Sequence, residues 1–97
     1  MSDRGRDIPE SIRKLVVERD NSCCRLCGQH QDHPHLHHIV YRSQLGRHTV
    51  DNLISLCFKC HMDRAHGAHA HKWREIFVEL TQNPAVTGFA LWRWRHP

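Results

Sequence analysis

The chain lacks any run approaching the ~18 apolar residues of a membrane span. Its opening, Met1-Ser2-Asp3-Arg4-Gly5-Arg6, lacks the apolar stretch of a signal peptide. These two absences predict a soluble, cytoplasmic protein with no membrane partner. There is no internal repeat and no low-complexity segment, and 97 residues suffice for one domain but not two. Acidic residues are the scarcer charge, 10 against 14 Lys and Arg, a net +4 that mildly favours a polyanionic partner. No segment resembles a separate sequence-reading module such as a helix-turn-helix. Weak sequence preference follows, or specificity supplied by a protein partner; the oligomeric state is not readable.

What the chain has in abundance is metal-binding chemistry. Eleven histidines, concentrated between His30 and His71, offer neutral imidazoles as ligands or as a general base. Five cysteines without a secretion signal read as reduced thiols, and an odd count would leave one unpaired in a disulfide scheme. A core this small gains from an additional staple.

Asp7 suits a helix N-cap, with Pro9 and Glu10 in the first turn. Ile12, Leu15, Val16 and Arg19 fall at i, i+3, i+4 and i+7, so an amphipathic helix is expected to end near Asn21. Leu36 to Tyr41 reads as a short strand, Arg42 to Asp51 as an irregular loop, and Leu53 to Leu56 as a second strand. A helix is expected from Cys60 or His61 to about Gly67. Trp73, Ile76, Phe77 and Leu80 predict another from Lys72 to Thr81, stopped by Asn83-Pro84. Residues 84–97 read as a C-terminal tail. Its Trp92-Arg93-Trp94-Arg95 run suits packing on the last helix better than stacking on bases.

Cys24-x-x-Cys27-Gly28 and Cys57-x-x-Cys60 are two half-sites for one tetrahedral zinc ion, Zn²⁺. Cys23-x3-Cys27 is an alternative pairing. Cys24 is preferred because a glycine after the second cysteine of a two-residue spacer suits a tight turn. Four thiolates leave no open position on the ion, so this site is structural, and bound metal would contribute to folding.

Between the half-sites lie Leu36-His37-His38-Ile39 and Asp51-Asn52-Leu53, and Leu56-Cys57-Phe58-Lys59-Cys60-His61 closes the pattern. Together with the segment from Arg19 to Gly28, these blocks resemble the HNH endonuclease family over about Arg19 to Gly67. The resemblance implies an α+β fold: a small single-domain ββα-metal core with zinc knuckles and flanking helices. Residues 1–7, charged and glycine-containing, are expected to form a flexible stretch, with the nuclease domain over 8–83 and the tail over 84–97.

By the same resemblance, His38 is the general base that activates water. His37 and His61 ligate a catalytic divalent ion such as Mg²⁺, Mn²⁺ or Ni²⁺, and Asn52 ties the intervening loop and helps orient the base. His66 adds a further contact to the ion, although it follows His61 by five residues and not by the four of an α-helical turn. DNA is the implied substrate, cut to 5′-phosphate and 3′-hydroxyl ends. Arg42, Arg47, Lys59 and Arg64 lie near the motif and are candidates for holding phosphates. His30, His33, His35, His48, His69, His71 and His96 match no role and read as solvated. The competing readings are a zinc-ribbon-like module that binds nucleic acid without cutting it, and an HNH subunit of a phage DNA-packaging complex. The ribbon reading uses the cysteines but leaves His38 and Asn52 without a purpose.

Overall fold

The computed structural model describes residues 8–83 and 85–96, without the side chain of Arg42. Asp7 and the stretch 1–7 lie outside the described residues. Helix α1 covers Glu10–Arg19, with Pro9 rather than a side-chain cap at its start. Of its apolar stripe only Val16 is fully buried, while Leu15 is half exposed. The helix is anchored instead by Arg19. Its guanidinium donates to the carbonyl oxygens of Val50 and Leu53, each at 2.7 Å.

Strands β1 (His35–His38) and β2 (Leu53–Leu56) form an antiparallel pair, with His35 opposite Leu56 and His38 opposite Leu53. The strand expected to reach Tyr41 stops at His38. Asn52 explains the early stop: its side chain accepts from the Val40 N–H at 2.8 Å and donates to the Val40 carbonyl at 3.2 Å. The backbone groups that would have continued the ladder are thereby taken. Helix α2 (Phe58–Cys60) begins two residues earlier than expected and runs directly into a π-helical segment, His61–Ala65. Strand, strand and helix form a ββα unit within an α+β fold.

Helix α3 (Ala70–Leu80) buries Trp73, Ile76, Phe77 and Leu80, the expected face. The tail segment contains a fourth helix, α4 (Gly88–Arg95), which the sequence reading left without secondary structure. Thr87 caps it by accepting the Ala90 N–H at 3.2 Å, which satisfies one of the free donors of the first turn. Gly88 N–H and Phe89 N–H donate to the carbonyls of Arg25 and Leu26, at 2.7 and 3.1 Å. A Cβ at position 88 would lie 2.1 Å from the Leu26 side chain, which would have to shift to admit any larger residue. Trp92 stacks on Trp73 at 4.1 Å between ring centroids, whereas Trp94 remains exposed.

The core gathers Leu26, Ile39, Ile54, Leu56, Ile76, Phe77, Leu80 and Leu91. One ionic cluster is buried beside it. Arg25 donates to Asp20 at 3.3 Å and to the carbonyls of Leu80, Asn83 and Val86 at 3.0–3.2 Å. Asp20 in turn accepts the Ser55 N–H at 3.0 Å. A single guanidinium thus satisfies the end of α3 and the turn into α4. Among the described residues, no helix is long and apolar enough to cross a membrane.

Candidate metal and nucleic-acid site

The two knuckles converge. The sulfur atoms of Cys24, Cys27, Cys57 and Cys60 all lie within 4.8 Å of one another. A tetrahedral zinc with Zn–S bonds of about 2.3 Å needs sulfurs about 3.8 Å apart, so the donor set fits a four-thiolate site. Turn geometry builds each knuckle. Gly28 takes φ of +85°, a conformation glycine adopts without strain, and its N–H returns to the Cys24 carbonyl at 2.8 Å. At the other knuckle, the Cys57 sulfur accepts the Cys60 N–H at 3.4 Å. Cys24 is buried, while the Cys23 thiol turns aside to the Asn21 carbonyl at 3.3 Å.

Crowding four thiols splits their acidities. Burial and the neighbouring Cys24 sulfur push the Cys60 thiol up. Burial also pushes Cys27 up. At Cys57 burial acts in the same direction, but hydrogen bonds from Cys60 and the other thiols outweigh it and leave the thiol below its ordinary value. A cation among them would relieve the repulsion and stabilise all four as thiolates.

A second cluster is built from β1 and the segment that follows α2. One ring nitrogen from each of His37, His61 and His66 lies within 4.8 Å of the others. The five-residue interval from His61 to His66 is accommodated by the π-helical turn, in which the His66 N–H reaches the His61 carbonyl at 3.2 Å. A π-turn closes from i to i+5, so residues five apart share a face as residues four apart do in an α-helix. The departure from α-helical spacing is therefore compensated in the backbone. The Nε2 atoms of the two rings stand 3.2 Å apart, as for two ligands about 2.1 Å from one ion.

His37 projects from β1 into the interior and is only 4% exposed, flanked by Tyr41, Phe77, His61 and His66. Burial, reinforced by His61 and His66, lowers its pKa to about 3. Burial, then His66 and His35, lowers that of His61 to about 4. Both rings are neutral near pH 7, the state in which imidazole can ligate.

His38 occupies the end of the strand, half-buried, with Nε2 2.9 Å from Nδ1 of His48. Together with His37, Leu36, Tyr41, Ser43, His61 and His66 it lines an open cavity of about 380 Å³. Asn52 is not among the residues that line this cavity. It holds the loop by its bonds to Val40 and by a further donation to the Arg47 carbonyl at 3.0 Å.

The basic candidates separate. Arg47 is exposed and lines a groove with Val40, Leu45 and Asn52. Lys59 and Arg64 line a cavity beside the cysteines, where Arg64 lies 5.6 Å over the Phe89 ring. The Arg42 side chain lies outside the described atoms. Arg74, which the sequence did not single out, lies over Tyr41 at 5.0 Å and bonds Gln44 at 3.1 Å. His35 and His48 were expected to be solvated, yet each is half-buried with a ring nitrogen against a motif histidine. Their spacing had no periodic signal, because the contacts cross from strand to helix and from strand to loop.

The model of the HNH endonuclease family matches residues 24–67, the span that holds both clusters. That segment is similar to the HNH endonuclease family, and helices α1, α3 and α4 lie outside the match. No curated protein matches the chain.

Proposed function

We propose that the chain is a metal-dependent endonuclease that hydrolyses DNA phosphodiester bonds. His38 is the general base, His37, His61 and His66 hold the catalytic divalent ion, and Cys24, Cys27, Cys57 and Cys60 hold a structural zinc. The observation that carries this reading is the three-imidazole cluster opening onto the same cavity as His38. Three protein ligands leave positions free for water and phosphate, as four thiolates do not.

A divalent ion there would supply charge stabilisation for the attacked phosphate and for the departing 3′ oxygen. The side chains supply the rest. His38, whose Nε2 lies 2.9 Å from Nδ1 of His48, is the imidazole that takes a proton from water. The water oxygen forms the new bond to phosphorus as the bond to O3′ breaks, and O3′ takes a proton from solvent, which leaves a 5′-phosphate and a 3′-hydroxyl. Asn52 keeps the loop carrying His48 in place by bonding the Arg47 carbonyl. Arg47, and Arg42 on the same loop, would meet neighbouring phosphates; Lys59 and Arg64 would extend the contact past the zinc knuckle.

The test is nicking of supercoiled plasmid by the zinc-loaded protein with Mg²⁺, Mn²⁺, Ni²⁺ or EDTA, followed by DNA ligase. Ion-dependent nicks that ligase reseals directly support the reading, since resealing needs 5′-phosphate and 3′-hydroxyl ends. DNA bound but left intact with every ion would overturn it in favour of a binding module.

A further inference from the structure

His61 uses both ring nitrogens at contact distance. Nε2 lies 3.2 Å from Nε2 of His66, and Nδ1 lies 3.0 Å from Nδ1 of His35. His35 is not one of the three residues whose ring nitrogens cluster within 4.8 Å. A neutral imidazole carries one proton, on one nitrogen or the other. If Nε2 of His61 turns its lone pair toward His66 and a shared cation, the proton must sit on Nδ1, where it points at His35.

We propose that His35 accepts this proton's hydrogen bond and thereby fixes His61 in the tautomer that can ligate, acting as a positioning residue and not as a ligand. The inference rests on the three-histidine site proposed above. Metal-bound imidazoles generally donate their second N–H to an acceptor that sets ring orientation and basicity, and loss of that acceptor typically weakens metal binding about 10–100-fold. A carboxylate, a backbone carbonyl or a water usually does this. Here a side chain from β1 takes the role. His35 is placed for it by two restraints: its pairing opposite Leu56, and the edge-on contact of its ring with Phe58 at 5.6 Å. Because His35 and His37 are two apart on one strand, both side chains project from the same face. One strand thus contributes both a ligand and the partner of a second ligand.

The experiment is a Co²⁺ titration of the full chain with its cysteine site kept zinc-loaded, comparing wild type with His35→Leu, His35→Gln and His61→Ala. The expected result is a roughly 10–100-fold weaker affinity for His35→Leu. His35→Gln, whose side-chain oxygen can accept the same bond, recovers most of the loss. The visible absorption of bound Co²⁺ stays unchanged in both, because the ligand set is unchanged. Unaltered affinity in His35→Leu alongside a loss in His61→Ala overturns this proposal alone. Altered absorption in His35→Leu without rescue by Gln also overturns it, by making His35 a ligand. If His61→Ala binds as wild type does, the three-histidine reading fails, and this proposal with it. Should His35→Leu not fold, ¹⁵N chemical shifts of the wild-type rings with a diamagnetic ion decide. His61 protonated on Nδ1 and His35 on Nε2 supports the proposal, and the reverse assignment at His61 overturns it.

Discussion

The backbone N–H of His66 bonds the carbonyl of His61, five residues earlier, at 3.2 Å, and this single π-turn places the two rings side by side. Replacing His66 with Ala should weaken binding of the catalytic ion about tenfold or more, given that loss of even an outer partner costs 10–100-fold. Isothermal titration of zinc-loaded protein with Ni²⁺ measures it. Wild-type affinity in the variant would mean that the turn brings His66 near the ion without ligation.

The two adjacent cysteines should behave oppositely. Cys24→Ser removes a buried member of the sulfur cluster and should abolish the tightly held zinc and cooperative folding together, since metal binding and folding are coupled in such sites. Cys23→Ser removes a thiol that turns to the Asn21 carbonyl and should retain one equivalent of zinc. Metal analysis after dialysis, with a thermal melt, separates the two; loss of zinc in the Cys23 variant would contradict the assignment.

Stability should depend on pH through His37. Burial holds its pKa at about 3, against an ordinary 6.5. The unfolded chain therefore binds a proton below about pH 6.5 that the folded chain refuses until about pH 3. The stability contribution is complete above pH 6.5 and is lost progressively as pH falls toward 3. Each such proton contributes a slope of about 1.4 kcal/mol per pH unit. Urea midpoints of wild type and His37→Phe between pH 4.5 and 6 should diverge by that one-proton slope. Parallel lines would contradict it.

Arg25 should prove a structural hot point. It is 5% exposed and joins Asp20 to three carbonyls of the α3–α4 turn. Arg25→Met leaves those three carbonyls without the guanidinium, while Asp20 keeps Arg19 and the Ser55 N–H. Buried acceptors left unpaired, at about 1–3 kcal/mol each, should cost about 3 kcal/mol in urea unfolding. A loss below about 1 kcal/mol would show that solvent replaces the guanidinium readily.

Patterns carried by short spacings were legible in the sequence. The CxxC pairs, the apolar face of Trp73, Ile76, Phe77 and Leu80, and the strand–loop–strand order all appear where expected. What stayed hidden depends on contacts between distant segments. The π-turn leaves no trace in propensity, so His66 looked out of register with His61. Helix α4 has little amphipathic pattern, and its entry is fixed by N–H bonds to the Arg25 and Leu26 carbonyls. His35 and His48 read as solvated for the same reason. Their partners lie 26 and 10 residues away, beyond the reach of any local period.

The central claim is that His38 is the base acting beside the three-histidine ion site. Its most direct test is the nicking rate of His38→Ala on supercoiled plasmid, with zinc content and Ni²⁺ affinity measured on the same preparation. A rate lowered about 10²–10⁴-fold, with both metals held as in wild type, is the expected result. Undiminished nicking by the variant, abolished by EDTA as in wild type, would contradict the account.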